Sequence, residues 1–221
     1  MARISRLHYP VTVLGPGRRL GVWVQGCTLG CRGCVSRDTW DAEAGEEVAA
    51  SRIAAVWSQV RADGATGITV SGGEPLQQPT AVADLLEACA ATEEATGARL
   101  AAPYDVLLYT GYEPEELPGL GPDAERALSR VDAVITGRYL AGRPTDLIWR
   151  GSANQRLLPL TPLGEERYTA FADLRDAPRL QVDVDDADLR VIGIPRRGAL
   201  PRLERALREA GIGIEGASWR P

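Results

Sequence analysis

The chain has 221 residues, of which 44% are hydrophobic and 25% charged, ordinary values for a globular protein able to bury a core without disulfide staples. Its net charge of −5 argues against a general affinity for nucleic acid or anionic membrane. All 25 basic residues are Arg, so lysine chemistry such as Schiff-base formation is excluded.

The N-terminal residues lack the apolar run of a signal peptide, and no apolar stretch reaches the roughly 18 residues of a membrane span, so the cytoplasm is the expected location. Residues 10–26 read as two short strands around a Gly-Pro-Gly turn, followed at once by a Gly-rich loop with three cysteines. Val48, Ile53, Val56, Trp57 and Val60 give residues 46–63 a helical stripe. Ile68–Val70 is a compact strand ending in Ser71-Gly-Gly-Glu-Pro75. A helix is expected over 80–96, with Val82, Leu85, Leu86 and Cys89 on one face. Then come a strand over 105–109 ending in Thr110-Gly-Tyr112, a short helix over 123–129, and a strand over 132–136 ending in Gly137-Arg-Tyr139. Beyond Arg150 the character changes: residues 151–156 are polar and loop-like, strands are expected near 180–184 and 189–194, and an amphipathic helix over 200–210 turns Leu203, Leu207 and Ala210 inward. Strands alternating with helices imply an α/β fold with a parallel sheet, whose reactive loops gather at the carboxyl ends of the strands.

The spacing Cys27-x3-Cys31-x2-Cys34 lets three thiolates converge on one face of a cubane [4Fe–4S] cluster, with Gly26, Gly30 and Gly33 supplying backbone freedom. Cys89, on the apolar face of a helix, is a poor fourth ligand, so one iron would stay open to a small molecule. The competing arrangement is a zinc site completed by His8, the only histidine. After an apolar strand, Gly72 and Gly73 let carbonyls approach a ligand, and Glu74 either pairs with an ammonium group or caps the next helix. The hydroxyls of Thr110 and Thr136 suit ribose or carboxylate; ordinary turns are the alternative. Arg138 suits a carboxylate. Arg150, Asn154 and Gln155 form a polar group beside Trp149 that reads as a hydrogen-bonded loop. Val191 to Pro195 is an edge strand ended by proline, and Asp183, Asp185, Asp186 and Asp188 form a solvated acidic turn rather than a calcium loop.

The cysteine spacing, with Gly-Gly-Glu-Pro about 40 residues on, resembles the radical S-adenosylmethionine superfamily. The segments Val24 to Cys34, Asp38 to Trp40, Tyr109 to Tyr112, Thr136 to Tyr139 and Trp149 to Gln155 resemble the small activating enzymes of anaerobic ribonucleotide reductase. The resemblance implies a partial, abbreviated (βα)6-type barrel over residues 1–157; the strands and helix expected beyond it make a small C-terminal α/β extension over 158–221 packed on the core. The extension is this chain's departure from the resemblance, since those activating enzymes generally end near the Gly-Ser-x-Asn-Gln segment. The resemblance also implies a [4Fe–4S] cluster on Cys27, Cys31 and Cys34. Its open iron would chelate the methionyl group of S-adenosylmethionine, and reductive cleavage would yield a 5′-deoxyadenosyl radical. Ser71, Gly72, Gly73 and Glu74 would bind the methionyl amino group. Gly33 stands where many superfamily members carry an aromatic, so adenine stacking falls to Trp40. Expected partners are a glycyl-radical enzyme or peptide and an electron donor such as flavodoxin or ferredoxin. A stand-alone enzyme acting on a small molecule or peptide, and a non-catalytic redox or sensor protein, are the alternatives.

Overall fold

In the computed structural model, residues 1–96, 102–176, 179–184, 189–213 and 217 are described. Strands β1 (Ala2–Val11), β2 (Arg19–Val24), β3 (Glu46–Val48), β4 (Gly67–Gly72), β5 (Asp105–Tyr109), β6 (Ala133–Thr136) and β7 (Arg156–Pro159) form one sheet in the order β3-β1-β2-β4-β5-β6-β7. The four central strands, β2, β4, β5 and β6, are parallel. The outer pairs β3–β1, β1–β2 and β6–β7 are antiparallel. Crossovers through α1 (Ala50–Ala62), α2 (Pro79–Thr96) and α3 (Pro122–Leu128) join the parallel strands. An α/β class with a parallel centre is therefore observed.

Both faces of the sheet are buried, as a parallel centre requires. On one face Leu20, Val22, Val24, Ile68, Val70, Val106 and Leu108 meet Ile53, Trp57 and Val60 of α1 and Val82, Leu85, Leu86 and Cys89 of α2. The alternating residues point the other way: Leu107 and Ile135 pack with Trp149 and Tyr168, and Trp23 packs with Val11, Leu14 and Ile192. Ile192 lies on a second, two-stranded sheet of β8 (Leu180–Val184) and β9 (Leu189–Gly193), so residues from the C-terminal third cover the face that the first three helices leave open.

A buried ionic knot closes the amino-terminal end of the parallel strands. Arg19, wholly buried, donates to Asp105 at 2.8 Å and to Thr69 at 2.6 Å. Arg167 reaches the other Asp105 oxygen at 2.5 Å, and the Tyr168 hydroxyl donates to the same carboxylate. Burial raises the Asp105 pKa, but the Arg19 charge and the hydrogen bonds from Arg19, Tyr168 and Arg167 outweigh it, so the net shift is downward.

Several expectations are corrected. The first strand begins at Ala2, not near residue 10, and Glu46–Val48 is an edge strand paired with β1 rather than the first turn of α1. Residues 156–168, where no strand or helix was expected, form β7 and α4 (Pro162–Tyr168), and β7 carries the main sheet past residue 157. In α5 (Ala199–Glu209) Leu200 is buried, but Leu203 and Leu207 are only half-buried and Ala210 is exposed. Pro195 follows β9 as expected, and Asp183 approaches His8 and Arg190 at 3.7 Å; Asp185, Asp186 and Asp188 lie outside the described residues. Among the described residues no helix is long and apolar enough to cross a membrane.

Candidate functional site

The cysteine loop leaves the carboxyl end of β2, and hydrogen bonds tie its two ends together. Gly26 N–H donates to Thr39 O at 2.7 Å, Cys27 N–H donates to Trp40 O, and the Gln25 amide donates to the carbonyls of Asp38 and Asp41. Between these ties, Gly30 at φ +60° and Gly33 at φ +82° reverse the chain so that all three thiols turn to one side. The cysteines are free and half-buried.

The loop after β4 is pressed against them. A Cβ on Gly72 would fall 2.4 Å from the Val24 carbonyl oxygen, and one on Gly73 would fall 2.2 Å from that of Gly26. Only glycine permits this approach, which is locked by hydrogen bonds from Gly73 N–H to Val24 O and from Glu74 N–H to Gly26 O. The Glu74 carboxylate, 1% exposed, accepts from Leu76 N–H and the Thr110 hydroxyl on one oxygen and from Gly111 N–H on the other. Three of roughly four acceptor positions are filled, leaving one on Oε2. Glu74 thus caps the short 3₁₀ turn Pro75–Gln77 and ties β4 to β5.

These loops border an open cavity of about 130 Å³. Of the residues expected at the site, Cys27, Cys31, Cys34, Trp40, Gly72, Gly73, Glu74 and Thr110 line it together. Two do not. Ser71 alternates to the opposite face and lines a separate cavity with Trp23 and Ile192. Thr136 is wholly buried, its hydroxyl 3.4 Å from the Arg156 carbonyl oxygen of β7, and Gly137 takes its place on the wall. Three further wall residues, Tyr109, Tyr139 and Gln155, stand in motifs already singled out without a cavity-facing role assigned to them. Gln155 also joins the Gly137 and Gly151 loops through hydrogen bonds to both. Arg150 is structural, donating to the carbonyls of Ile148, Ala172 and Phe171. Arg138 pairs with Glu116 at 2.8 Å.

Burial pushes the Cys27 thiol pKa up, against a lowering contribution from the Leu29 backbone N–H, while Glu74 and the other two cysteines raise it further. Burial likewise raises Cys34, against the Ser36 N–H and the Trp40 indole, which lower it. Burial also raises Glu74, against its hydrogen bonds. Thiols held neutral beside a carboxylate lose their protons to solvent when a cationic centre binds the sulfurs, and a half-exposed triad of soft donors suits iron–sulfur chemistry. Cys89 is fully buried in the helical core with its pKa raised to about 12, so it is no fourth ligand. His8 lies against β8 and does not reach this cavity, so the zinc arrangement loses its histidine. Among the described residues no three His, Cys, Asp or Glu side chains group tightly enough for a single metal ion. A cubane, several ångströms across, sets its thiolates further apart.

A family model described as a 4Fe-4S single cluster domain matches residues 13–158, about two thirds of the chain and the whole of this site. The chain belongs to this family, and within it to the anaerobic ribonucleoside-triphosphate reductase-activating proteins. The activating protein of Enterobacteria phage T4 is 33% identical over 147 residues, covering 66% of this chain and 86% of its own length. That of Haemophilus influenzae is 33% identical over 154 residues, covering 67% and 92%. The Escherichia coli K12 protein is 28% identical over 152 residues, covering 67% and 93%.

Proposed function

We propose that this radical S-adenosylmethionine enzyme holds its [4Fe–4S] cluster through Cys27, Cys31 and Cys34 and activates a glycyl-radical partner by taking hydrogen from a backbone Cα. One observation carries the assignment: three half-exposed thiols share a cavity with the Gly72-Gly73-Glu74 loop, while the fourth cysteine is sealed in the helical core. When bound, the cluster supplies the electron that breaks the sulfonium C–S bond, releasing methionine and a 5′-deoxyadenosyl radical.

The chain's own residues orient the reactants. Glu74 offers its remaining acceptor position to the methionyl ammonium, at a wall fixed by Thr110 and Gly111. Trp40, on the same cavity, offers an indole face to adenine, and the Arg37 guanidinium lies 5.4 Å from its ring centroid. Backbone at Gly72 and Gly73 admits the cofactor where any side chain would collide with the cysteine loop. Ser71 and Thr136 take no part.

Residues 1–157 make the catalytic core and 158–221 an extension packed on it; the extent of the family match and the contact of Ile192 with Val11, Leu14 and Trp23 support that division. The four parallel strands with reactive loops at their carboxyl ends suit an abbreviated (βα)6-type barrel. The cytoplasm, where a flavodoxin or ferredoxin supplies the electron, suits a site built on free thiols. Anaerobic reconstitution with a glycyl-radical partner deuterated at glycine Cα tests the proposal. Deuterium should arrive in 5′-deoxyadenosine; cofactor cleavage with no label transfer would exclude the activase role.

A further inference from the structure

A second cavity, of about 850 Å³, opens beside the first and shares Leu29, Cys31 and Tyr139 with it. Its walls come from three separate segments: the cysteine loop, the loop after β6, and the turn joining β9 to α5. Arg32, Arg138, Arg143, Arg196 and Arg197 all line it. Arg138 is paired with Glu116. The other four are exposed, and among the described residues none of them has an acidic partner. Four guanidinium groups with no acidic partner among the described residues, gathered around one cleft, are a strong local departure in a chain whose net charge is −5.

The cleft is not only charged. Val35 and Leu140, 39% and 42% exposed, contribute apolar surface between the arginines. Apolar contacts ringed by guanidinium groups match the composition of polypeptide interfaces, whereas a small inorganic anion has no use for the apolar part. A concave space of this size accepts a chain segment better than the flat face of a folded redox protein. Continuity through Cys31 brings anything seated there to the edge of the cluster-binding cavity. Arg196 and Arg197 lie beyond residue 158, where the family match ends, so one wall of the cleft is supplied by the extension.

We infer that this cleft is the docking groove for an acidic polypeptide segment, the part of the partner that carries the hydrogen donor, and that Arg196 and Arg197 of the extension select it by charge. The inference rests on the activase assignment and names the substrate class for the same site. Arg32 and Arg143 hold the segment from the opposite walls, and bidentate guanidinium–carboxylate pairing sets its register.

The test uses the reconstituted full-length protein and two labelled peptides of equal length, one with glutamates flanking a central glycine and one with lysines there. Fluorescence anisotropy at low salt should show binding of the acidic peptide alone, weakening as salt is added. Arg196→Ala/Arg197→Ala should lower that affinity roughly tenfold, the sum of two exposed charge pairs, and Arg143→Ala on the facing wall should lower it several-fold. Equal binding of both peptides, or wild-type affinity in the double variant, would overturn the groove. So would a double variant that keeps its peptide affinity but loses reduction by an acidic flavodoxin, because the donor would then be the occupant. Dithionite-driven release of 5′-deoxyadenosine by the wild-type protein reads the cluster assignment separately. Its absence would remove the groove's catalytic purpose, while normal release without peptide discrimination would overturn the groove alone.

Discussion

Gly73→Ala tests the joint on which the site is built. The added methyl would sit 2.2 Å from the Gly26 carbonyl oxygen and 2.7 Å from its carbonyl carbon, both backbone atoms, and 3.0 Å from the Thr39 carbonyl oxygen, so no side chain can swing aside. Overpacking against a rigid neighbour costs about 1–3 kcal/mol, and separating the loops weakens the Gly73–Val24 and Glu74–Gly26 hydrogen bonds, adding about 1 kcal/mol. A total of about 3 kcal/mol corresponds to a Tm lower by roughly 10 °C for a chain of this size. The displaced loop also carries Glu74 away from the thiols, so iron retention should fall along with stability. Thermal unfolding followed by circular dichroism, with iron content measured on the same samples, reads both effects. Gly142→Ala is the control, since a Cβ there meets nothing within 4 Å. Melting of Gly73→Ala within a degree or two of wild type, at full iron content, would refute the claim that this contact holds the two loops together.

Other outcomes follow from the same geometry. Asp105→Asn should destabilise by about 3–5 kcal/mol, because Arg19 is left buried without its counter-charge, and chemical denaturation measures the loss. The Asp105 pKa is lowered in the folded state, so its contribution to stability is present above the unfolded carboxylate value near 4 and is lost as the pH falls through the folded value. The Asn variant should therefore lose less stability than wild type on acidification below about pH 4. In the cluster-free protein, brief iodoacetamide treatment should label Cys27, Cys31 and Cys34 but spare Cys89, whose thiol is fully buried with a pKa of about 12; mass spectrometry counts the adducts. Trp40→Phe removes the indole that lowers the Cys34 pKa, so alkylation of Cys34 should slow by a factor of a few in a pH-resolved rate measurement.

Much of this arrangement was legible in the sequence because local signals and tertiary roles agree. The strand Asp105–Tyr109 falls at its expected bounds, since a short apolar run stopped by Thr-Gly is unambiguous in a sheet buried on both faces. The cysteine loop and the Gly-Gly-Glu turn were readable because their chemistry is concentrated in adjacent residues. Other features depend on what lies across the fold. Glu46–Val48 is a strand only because β1 offers a free edge, and its two glutamates carry no apolar signal. β7 and α4 were hidden because Pro159 and Pro162 interrupt Leu157, Leu158 and Leu160, a run with no clear period until β7 pairs with β6. Nothing local marks Arg19, Asp105 and Tyr168 as partners, being separated by more than 60 residues. Ser71 and Thr136 were expected in the cavity because each borders a loop that reaches it. A strand's period of two turns each of these side chains away, and the neighbouring glycine faces the site instead.

The most direct measurement is Mössbauer spectroscopy of the ⁵⁷Fe-reconstituted, oxygen-free protein before and after addition of S-adenosylmethionine. On the proposed assignment Cys27, Cys31 and Cys34 would hold three irons and leave one corner open, so we expect a [4Fe–4S] spectrum in which a single iron site changes when the cofactor binds. A cubane unaltered by the cofactor, or a protein that takes up zinc and no cluster, would contradict it.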